Sequence, residues 1–169
     1  MVTIRHADKT DYAVLPSVEA DAAQAFKEHG LSSIAEMEPA PPEYYVQLPE
    51  NAAVFVAEEE AIVGFAVITE IDGQAYLKEI SVRRAASGKG VGRALLEHAV
   101  SWVAARYRWM VLTTFADLPF NAPFYRKAGF QEFTPDGDWP ELKALRIEEH
   151  RAGLDVWPRV TMRLELNDG

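Results

Sequence analysis

The chain has 169 residues, of which 49% are hydrophobic and 25% charged, and its formal net charge is −9. These values are typical of one globular domain, and the acidic charge argues against non-specific nucleic-acid binding. The sequence has no apolar run long enough for a membrane span and no cysteine, and its four histidines lack ligand spacing, so we expect no membrane contact, no disulfide, no metal and a cytoplasmic location.

The N-terminal half predicts a strand, two helical segments and an antiparallel meander. Asp8 and Thr10 are candidate caps of the first helix, Gly30 ends it, and three prolines interrupt the second. A charged turn and the dipeptide Asp72-Gly73 separate three apolar runs, which we expect to pair as hairpins. The first strand is predicted at residues 2–7. The first helical segment runs from its cap to about residue 27, and the second covers residues 32–48. The three strands of the meander are predicted at 53–57, 61–71 and 76–82.

The C-terminal half predicts a parallel strand pair at the centre of the sheet. An apolar stripe at helical spacing, which includes His98 as an expected buried residue, joins the meander to a strand at 109–114. A strand, a crossover helix and a strand imply a right-handed parallel connection. The remaining predicted elements are a short helix at 121–128, a strand at 130–133, a helix at 139–151 and a strand at 159–166. We therefore predict one α/β domain over residues 1–169, with a mixed sheet flanked by helices.

Three alternating glycines, Gly88, Gly90 and Gly92, lie between the meander and the long helix. Free backbone N–H groups at a helix N-terminus favour an anion, and glycine lets a phosphate approach them. The spacing matches neither the dinucleotide fingerprint nor the nucleotide P-loop. The pattern therefore indicates a phosphorylated ligand, with a simple tight turn as the alternative.

The stretch SGKGVG resembles the acyl-CoA pyrophosphate loop of the GNAT superfamily of N-acetyltransferases, [QR]-x-x-G-x-[GA] about five residues after a strand-ending valine. Val82, Ser87, Gly90 and Gly92 occupy those places, and Ser87 departs from the usual Gln or Arg. The stretch NAPFYRKAGF is similar to a second family motif, whose matching residues are Asn121, Tyr125, Gly129 and Phe130.

This resemblance implies a GNAT-like fold with splayed central parallel strands and acetyl-CoA as cosubstrate. It also implies a homodimer, as is common in the family. It implies that Tyr125 is the general acid for the leaving thiolate and that Asn121 holds the CoA arm. Arg83, Arg84 and Lys89 are cations near the loop. The implied cofactor-binding residues are Ile80, Ser81, Val82, Ser87, Gly88, Lys89, Gly90, Val91, Gly92, Asn121 and Tyr125.

Glu79 is the candidate general base, because it lies on the strand that enters the predicted site. An ordinary Glu, with a pKa of about 4.3, is a poor base for an ammonium unless burial raises that pKa or water relays the proton. A half-exposed strand carboxylate fits Glu79 equally well, and a packed core tyrosine is the alternative for Tyr125. Asp117 is the fallback base.

The resemblance implies transfer of an acetyl group from acetyl-CoA to a primary amine. Since the chain has no cysteine, we expect direct attack in a ternary complex. A small-molecule acceptor is expected, with a protein N-terminus or lysine as the alternative and with specificity set by residues 28–49 and 115–120. A non-enzymatic module that binds or senses acyl-CoA is the alternative from another class.

Overall fold

The computed structural model describes residues 1–166. The strands are β1 (Thr3–His6), β2 (Ala53–Glu58), β3 (Ile62–Ile71), β4 (Gln74–Val82), β5 (Trp109–Phe115), β6 (Gln131–Glu132) and β7 (Arg159–Glu165). The helices are α1 (Leu15–Ala23), α2 (Ser32–Ala35), α3 (Pro42–Val46), α4 (Val91–Ala104), α5 (Ala122–Lys127) and α6 (Pro140–Arg151), with 3₁₀ turns at Asp11–Ala13, Gln24–His29, Arg84–Ala86 and Leu154–Val156.

The strands form one mixed sheet in the order β1-β2-β3-β4-β5-β7-β6. β1 with β2, β2 with β3, β5 with β7, and β6 with β7 are antiparallel. β4 and β5 are parallel, and their register joins Ala75 to Met110 and Tyr76 to Val111. The predicted α/β class, with an antiparallel N-terminal half and a parallel central pair, is confirmed.

The chain divides into two compact units. The N-terminal unit comprises Met1–Thr69 and Leu77–Trp102, and the C-terminal unit comprises Glu70–Tyr76 and Val103–Gly169. Residues 167–169, which belong to the predicted domain 1–169, lie outside the described residues. One functional domain stays a prediction, and each unit is described by itself.

The first predicted helix is three shorter pieces, because the region before α1 is organised around Asp11 and not around the expected caps. The buried Asp11 carboxylate accepts hydrogen bonds from Arg5 at 2.7 and 3.1 Å and from the Asp8 N–H at 2.8 Å. Pro16 then starts α1, and neither Asp8 nor Thr10 caps it with a side chain. The predicted end at Gly30 is correct, since Gly30 is left-handed with φ 76°.

Apolar side chains of α1, α3, β2 and β3 form the core of the N-terminal unit. Leu15, Val18, Val56 and Phe65 are fully buried in it. On α4 the predicted stripe is displaced, because Leu96 is buried whereas His98 is exposed. The expectation of a buried His98 was therefore wrong. The exposed His98 ring still contacts the Phe55 ring edge-on, with the two centroids 4.7 Å apart.

In the C-terminal unit, the predicted Asp72-Gly73 turn also caps α6. Its two residues have φ values of 52° and 73°, as a tight hairpin needs. The Asp72 carboxylate accepts the N–H groups of Glu141 at 2.8 Å and Leu142 at 2.9 Å, while Glu141 accepts the Asp72 N–H at 3.1 Å. This reciprocal capping holds the start of α6 against the turn.

A buried ion-pair network joins α6 to β5 and β7 within the C-terminal unit. The Glu149 carboxylate accepts hydrogen bonds from Thr113 Oγ1 at 2.6 Å, Arg146 at 2.7 Å and Arg159 at 3.3 Å. Arg159 also lies over the Phe115 ring, 4.6 Å from its centroid, and burial lowers its pKa. Within residues 1–166, no helix combines the length and apolar composition needed to span a membrane.

Candidate active site

The loop between β4 and α4 takes the conformation that its glycines allow. Gly88 and Gly90 have φ values of 74° and 85°, which side-chain-bearing residues rarely adopt, whereas Gly92 already belongs to the first turn of α4. A Cβ at Gly88 or Gly90 would meet open space. These two glycines are therefore required by the backbone path and leave the loop surface uncovered directly before a helix of 14 residues.

The three cationic side chains near this loop differ in their hydrogen-bond and ion-pair partners. The Arg84 guanidinium pairs with Asp21 of α1 at 3.2 Å, and the Arg84 N–H donates to the same carboxylate at 2.8 Å. Arg83 donates to Ser17 at 2.9 Å. Lys89 is exposed and has no ion pair among the described residues. The arginines thus fasten the loop to α1, Arg84 through an ion pair and Arg83 through a hydroxyl group, and Lys89 is an exposed cation of the loop.

Gly64 on β3 sets the position of the strand and helix that carry the loop. A Cβ there would lie 2.9 Å from the Ser81 carbonyl oxygen, 3.2 Å from Leu95 and 3.3 Å from Val82. Any larger residue would force β4 or α4 outward. The sequence analysis missed this position because it carries no functional side chain.

Glu79 is half-buried on β4 and accepts a hydrogen bond from Ser81 Oγ. Burial and the nearby Glu19 carboxylate raise the pKa of Glu79 to about 7, against the smaller opposing effects of Ser81 and Lys78. Glu79 therefore titrates close to neutral pH, as a general base for an amine requires. Asp117, the fallback, lies exposed after β5.

An aromatic pair of α3 lies near Glu79. Tyr45 is only 3% exposed, and its pKa is raised by burial and then by the charges of Glu19 and Glu79. The Tyr44 ring lies 5.1 Å from that of Tyr45, with Lys78 Nζ 4.6 Å from the Tyr44 centroid. Among the described residues the buried Tyr44 hydroxyl has no hydrogen-bond partner.

The C-terminal unit holds the two other predicted site residues on and before α5. The Tyr125 side chain is 9% exposed and packs edge-on against Phe124 and Phe130, with centroids 5.1 and 5.7 Å away. Asn121 precedes the helix without capping it through its side chain. Its Oδ1 is buried and has no partner within residues 1–166. An orphaned acceptor of this kind costs about 1–3 kcal/mol unless a ligand N–H satisfies it.

The predicted residues therefore fall into two groups. In the N-terminal unit, β4 carries Glu79, Ile80, Ser81 and Val82, and the loop with the first turn of α4 carries Ser87, Gly88, Lys89, Gly90, Val91 and Gly92. In the C-terminal unit, Asn121 and Tyr125 are one helical turn apart. Glu19 is the residue near Glu79 that sequence reasoning missed, because nothing in the α1 sequence marks it.

Two further features of the described residues bear on ligands. No group of three His, Asp or Glu side chains suited to a metal ion occurs in residues 1–166. A cavity of about 650 Å³ opens in the C-terminal unit between α6, β7 and the segment after β6. None of the predicted site residues lines this cavity.

The family model of the GNAT acetyltransferase domain matches residues 50–132, from the segment before β2 to the end of β6. The matched region includes β4, the glycine loop, α4 and the Asn121–Tyr125 turn. Residues 50–132 of this chain thus match a GNAT acetyltransferase domain. The resemblance of the two motifs is thereby confirmed at the level of the family.

Solved GNAT structures share this fold along nearly the whole chain. The ribosomal-protein-S18-alanine N-acetyltransferase of Escherichia coli has a TM-score of 0.72 and 20% identity, covering 100% of this chain and 96% of its own. The PaiA N-acetyltransferase of Thermoplasma acidophilum, solved with coenzyme A, has a TM-score of 0.69 and 17% identity, with 98% and 99% coverage.

A phosphinothricin acetyltransferase of Sinorhizobium meliloti, solved with AcCoA, has a TM-score of 0.70 and 20% identity, covering 99% of this chain and 90% of its own. At such identities these likenesses establish the fold. The three neighbours include a protein-directed enzyme and a small-molecule enzyme by name, so the GNAT fold alone leaves the acceptor of this chain open.

Proposed function

We propose that this GNAT protein transfers the acetyl group of acetyl-CoA to a primary amine of a small molecule, by direct attack in a ternary complex. The observation that carries this proposal is Glu79, a half-buried carboxyl group on β4 with a pKa of about 7. A carboxyl group that titrates near neutral pH favours proton transfer over simple binding of acyl-CoA.

The residues present fit a CoA ligand. Gly88 and Gly90 leave the backbone bare before α4, where N–H groups and the helix dipole favour a phosphate. Lys89 supplies a cation without an ion pair in residues 1–166, and the buried Asn121 Oδ1 needs an N–H donor such as a pantetheine amide offers. We assign the pyrophosphate to the loop, and we assign the arm to Asn121 and to the backbone of Ile80–Val82. Acetyl-CoA supplies an acetyl group activated as a thioester.

In the proposed mechanism Glu79 receives the proton of the acceptor amine. Its pKa of about 7 leaves a large fraction ionised at neutral pH and makes it a stronger base than an ordinary carboxylate. The Ser81 hydroxyl orients the carboxyl group by donating to Oε1. Because the chain has no cysteine, no thiol is available for a covalent acyl-enzyme, and the amine attacks directly.

Tyr125 is proposed as the group that returns a proton to the leaving sulfur. A phenol with an ordinary pKa of about 10 is protonated at neutral pH and can donate to a thiolate. Packing against Phe124 and Phe130 fixes its ring. Its burial at 9% exposure supports a positioned hydroxyl as well as the alternative of a core tyrosine.

The acceptor and the assembly are the finer parts of the proposal. A protein N-terminus or lysine is the main alternative acceptor. The E. coli neighbour, named for an alanine of a ribosomal protein, is an example of such an acceptor.

We also propose a cytoplasmic location, which the absence of cysteine suits, and a homodimer. Light scattering coupled to gel filtration tests the dimer by its mass.

Calorimetry with acetyl-CoA tests the proposal first, with NAD and adenosine 3′,5′-bisphosphate as comparators. We expect binding of acetyl-CoA and no binding of NAD. Thiol release is then measured with a panel of butylamine, free amino acids, an alanine-terminated peptide and a lysine peptide. Acetylation of a small amine supports the proposal, acetylation of only the peptides reassigns the acceptor, and absence of acetyl-CoA binding overturns the function.

A further inference from the structure

The cavity of about 650 Å³ in the C-terminal unit lies between α6, β7 and the segment after β6. Volumes of this order are typical of sites that take small molecules. None of the residues that we assign to acetyl-CoA or to proton transfer lines this cavity. The proposed acetyl transfer therefore gives it no role.

The apolar wall of the cavity is held in place by packing and by the sheet. The Phe133 ring packs edge-on against Trp139, with centroids 5.4 Å apart, and the Arg163 guanidinium lies over the Phe133 ring at 4.4 Å. The Phe133 N–H donates to the Thr161 carbonyl oxygen at 3.0 Å, which extends the pairing of β6 with β7 to the cavity. Ile147 of α6 also lines the cavity and is 53% exposed, so an apolar ligand would remove its side chain from water.

Two cations of α6 line the same cavity. Lys143 and Arg146 are three positions apart on the helix, so their side chains leave it from neighbouring positions. Lys143 is exposed, and its side chain makes no ion pair or hydrogen bond within residues 1–166. No protein carboxylate in the described part of the chain therefore compensates the Lys143 charge directly.

Arg146 is paired but keeps unused donors. It donates to Glu149 at 2.7 Å and to Asp155 at 3.5 Å, and both contacts use the same nitrogen, Nη1. Its Nε and Nη2 groups donate to no residue between positions 1 and 166, and 25% of its side chain is exposed. A guanidinium has five N–H donors in a fixed fork, so Arg146 can hold Glu149 and a ligand carboxylate at the same time.

The acidic side chain of the cavity lining is Glu132, and it pairs with Arg126 of α5. The charge that faces the cavity without a direct partner is thus positive, although the net charge of the protein is −9. An anion is attracted to such a local positive charge, and salt screens it less inside a partly enclosed site than on an open surface.

We propose that this cavity binds a small organic anion whose carboxylate is attached to an apolar body. The carboxylate accepts hydrogen bonds from Lys143 and from the unused donors of Arg146. The apolar body packs against Phe133, Pro135 and Ile147. The site is independent of the proposed acetyl transfer, because it involves neither acetyl-CoA nor the acceptor amine.

The test titrates phenylbutyrate into the full chain and follows the backbone amide signals by NMR. We expect a Kd of about 1 mM or tighter, with the largest shifts at residues 132–135, 143–147 and 160–161. Phenylbutanol has the same apolar body without the charge, and acetate has the charge without the body, so each should bind at least about tenfold more weakly. Absence of phenylbutyrate binding, shifts confined to other residues, or equal affinity for phenylbutanol overturns the proposal.

Variants at exposed positions separate the charge from the apolar wall. Lys143→Glu reverses the charge at an exposed position, so the fold should persist while phenylbutyrate binds about tenfold or more weakly. Lys127→Glu makes the same exchange on α5, outside the cavity lining, and should change the Kd by less than about twofold. Ile147→Ser should weaken the binding of phenylbutyrate and leave that of acetate unchanged. An unchanged Kd in Lys143→Glu also overturns the site.

A tripeptide that ends in Phe, compared with its C-terminal amide, separates the two sources of such an anion. Tighter binding of the tripeptide acid than of phenylbutyrate supports the site with a peptide C-terminus as its ligand, and binding of phenylbutyrate alone supports a free small molecule. Amine acetylation by Lys143→Glu should stay within about twofold of wild type, because no residue assigned to the reaction lines the cavity. The site and the proposed function can therefore fail separately.

Discussion

Each of the two units holds a glutamate that is at least half-buried, Glu79 in the N-terminal unit and Glu149 in the C-terminal unit. The two differ in the charges that act on them most strongly: arginines at Glu149 and another carboxylate at Glu79. Glu149 is 8% exposed and accepts hydrogen bonds from Arg146 and Arg159 at 2.7 and 3.3 Å. Glu79 accepts a hydrogen bond from the Ser81 hydroxyl, and the charge of another carboxylate, Glu19, adds to burial in raising its pKa. Glu149 is therefore held by two arginines, whereas Glu79, with a pKa of about 7, can exchange its proton near neutral pH.

This difference separates a structural carboxylate, Glu149, from the carboxyl group that we propose as the base, Glu79. A buried carboxylate that is paired with arginine contributes to stability by compensating the charge of its partner. Removal of the carboxylate leaves the arginine charge buried and uncompensated, which destabilises the fold. A carboxyl group whose charge is poorly compensated costs stability when ionised, and such groups occur at functional sites. Replacing Glu79 by Gln should therefore mainly lower activity, whereas replacing Glu149 by Gln should mainly lower stability.

Glu79→Gln is expected to have the largest effect. Without the base, kcat/KM with the best amine acceptor should fall by about 10²–10⁴-fold. The affinity for acetyl-CoA, measured by calorimetry, should stay within about twofold, because the loop that we assign to the ligand is unchanged. Turnover within a factor of two of wild type would falsify the role of Glu79 as base.

Glu149→Gln is the matched exchange in the C-terminal unit. It leaves Arg146 and Arg159 without their shared anion, so the free energy of unfolding should drop by about 3 kcal/mol. Urea denaturation measures this loss. Turnover per folded molecule should remain near wild type; a loss of kcat comparable to that of Glu79→Gln would show that both carboxyl groups belong to the reaction.

Gly90→Ala and Gly153→Ala compare two glycines with similar backbone strain. Their φ values are 85° and 80°, and a Cβ at either meets open space. Each substitution should cost about 1–2 kcal/mol of stability. Only Gly90→Ala is expected to weaken acetyl-CoA binding, by about tenfold or more in calorimetry. Equal affinities for the two variants would remove the loop from the ligand site.

Glu79 is also expected to make the stability of the folded protein depend on pH. The pKa of Glu79 is about 7 in the folded protein and 4.5 as an ordinary Glu, so the native state binds more protons between these values. The Glu79 contribution to the unfolding free energy therefore falls as the pH rises from about 4.5 through 7 and levels off about one pH unit above that. In Glu79→Gln this fall is absent, so the stability difference, variant minus wild type, should grow from pH 5 to 7 in calorimetric melts. A constant difference would contradict the raised pKa.

Local signals in the sequence were sufficient for most of the fold. The Asp72-Gly73 turn and the alternating strands fixed the meander, because turn chemistry and a period of two are properties of neighbouring residues. The first helix was less predictable, since the Arg5–Asp11 ion pair and Pro16 divide the region in a way that local propensity does not contain. His98 was misassigned because the helical stripe is displaced toward Leu96.

The candidate site was predictable where glycine spacing marks it and not where its chemistry depends on distant groups. Gly88 and Gly90 stand out in the sequence, and their backbone shows why. The environment of Glu79 depends on Glu19, sixty positions earlier in the chain, and the fit of β4 against its neighbours depends on Gly64. Such separations carry no periodic signal, so only the folded chain reveals them.

The engaged arginines of the glycine loop have a consequence for the rate of ligand capture. Arg84 is held by Asp21 and Arg83 by Ser17, which leaves Lys89 to meet a ligand with several phosphates on a protein of net charge −9. Long-range repulsion therefore opposes the encounter, while short-range contacts hold the ligand once it arrives. Added salt screens that repulsion, so the association rate of acetyl-CoA should rise with ionic strength, opposite to the behaviour of enzymes that attract their substrates from a distance.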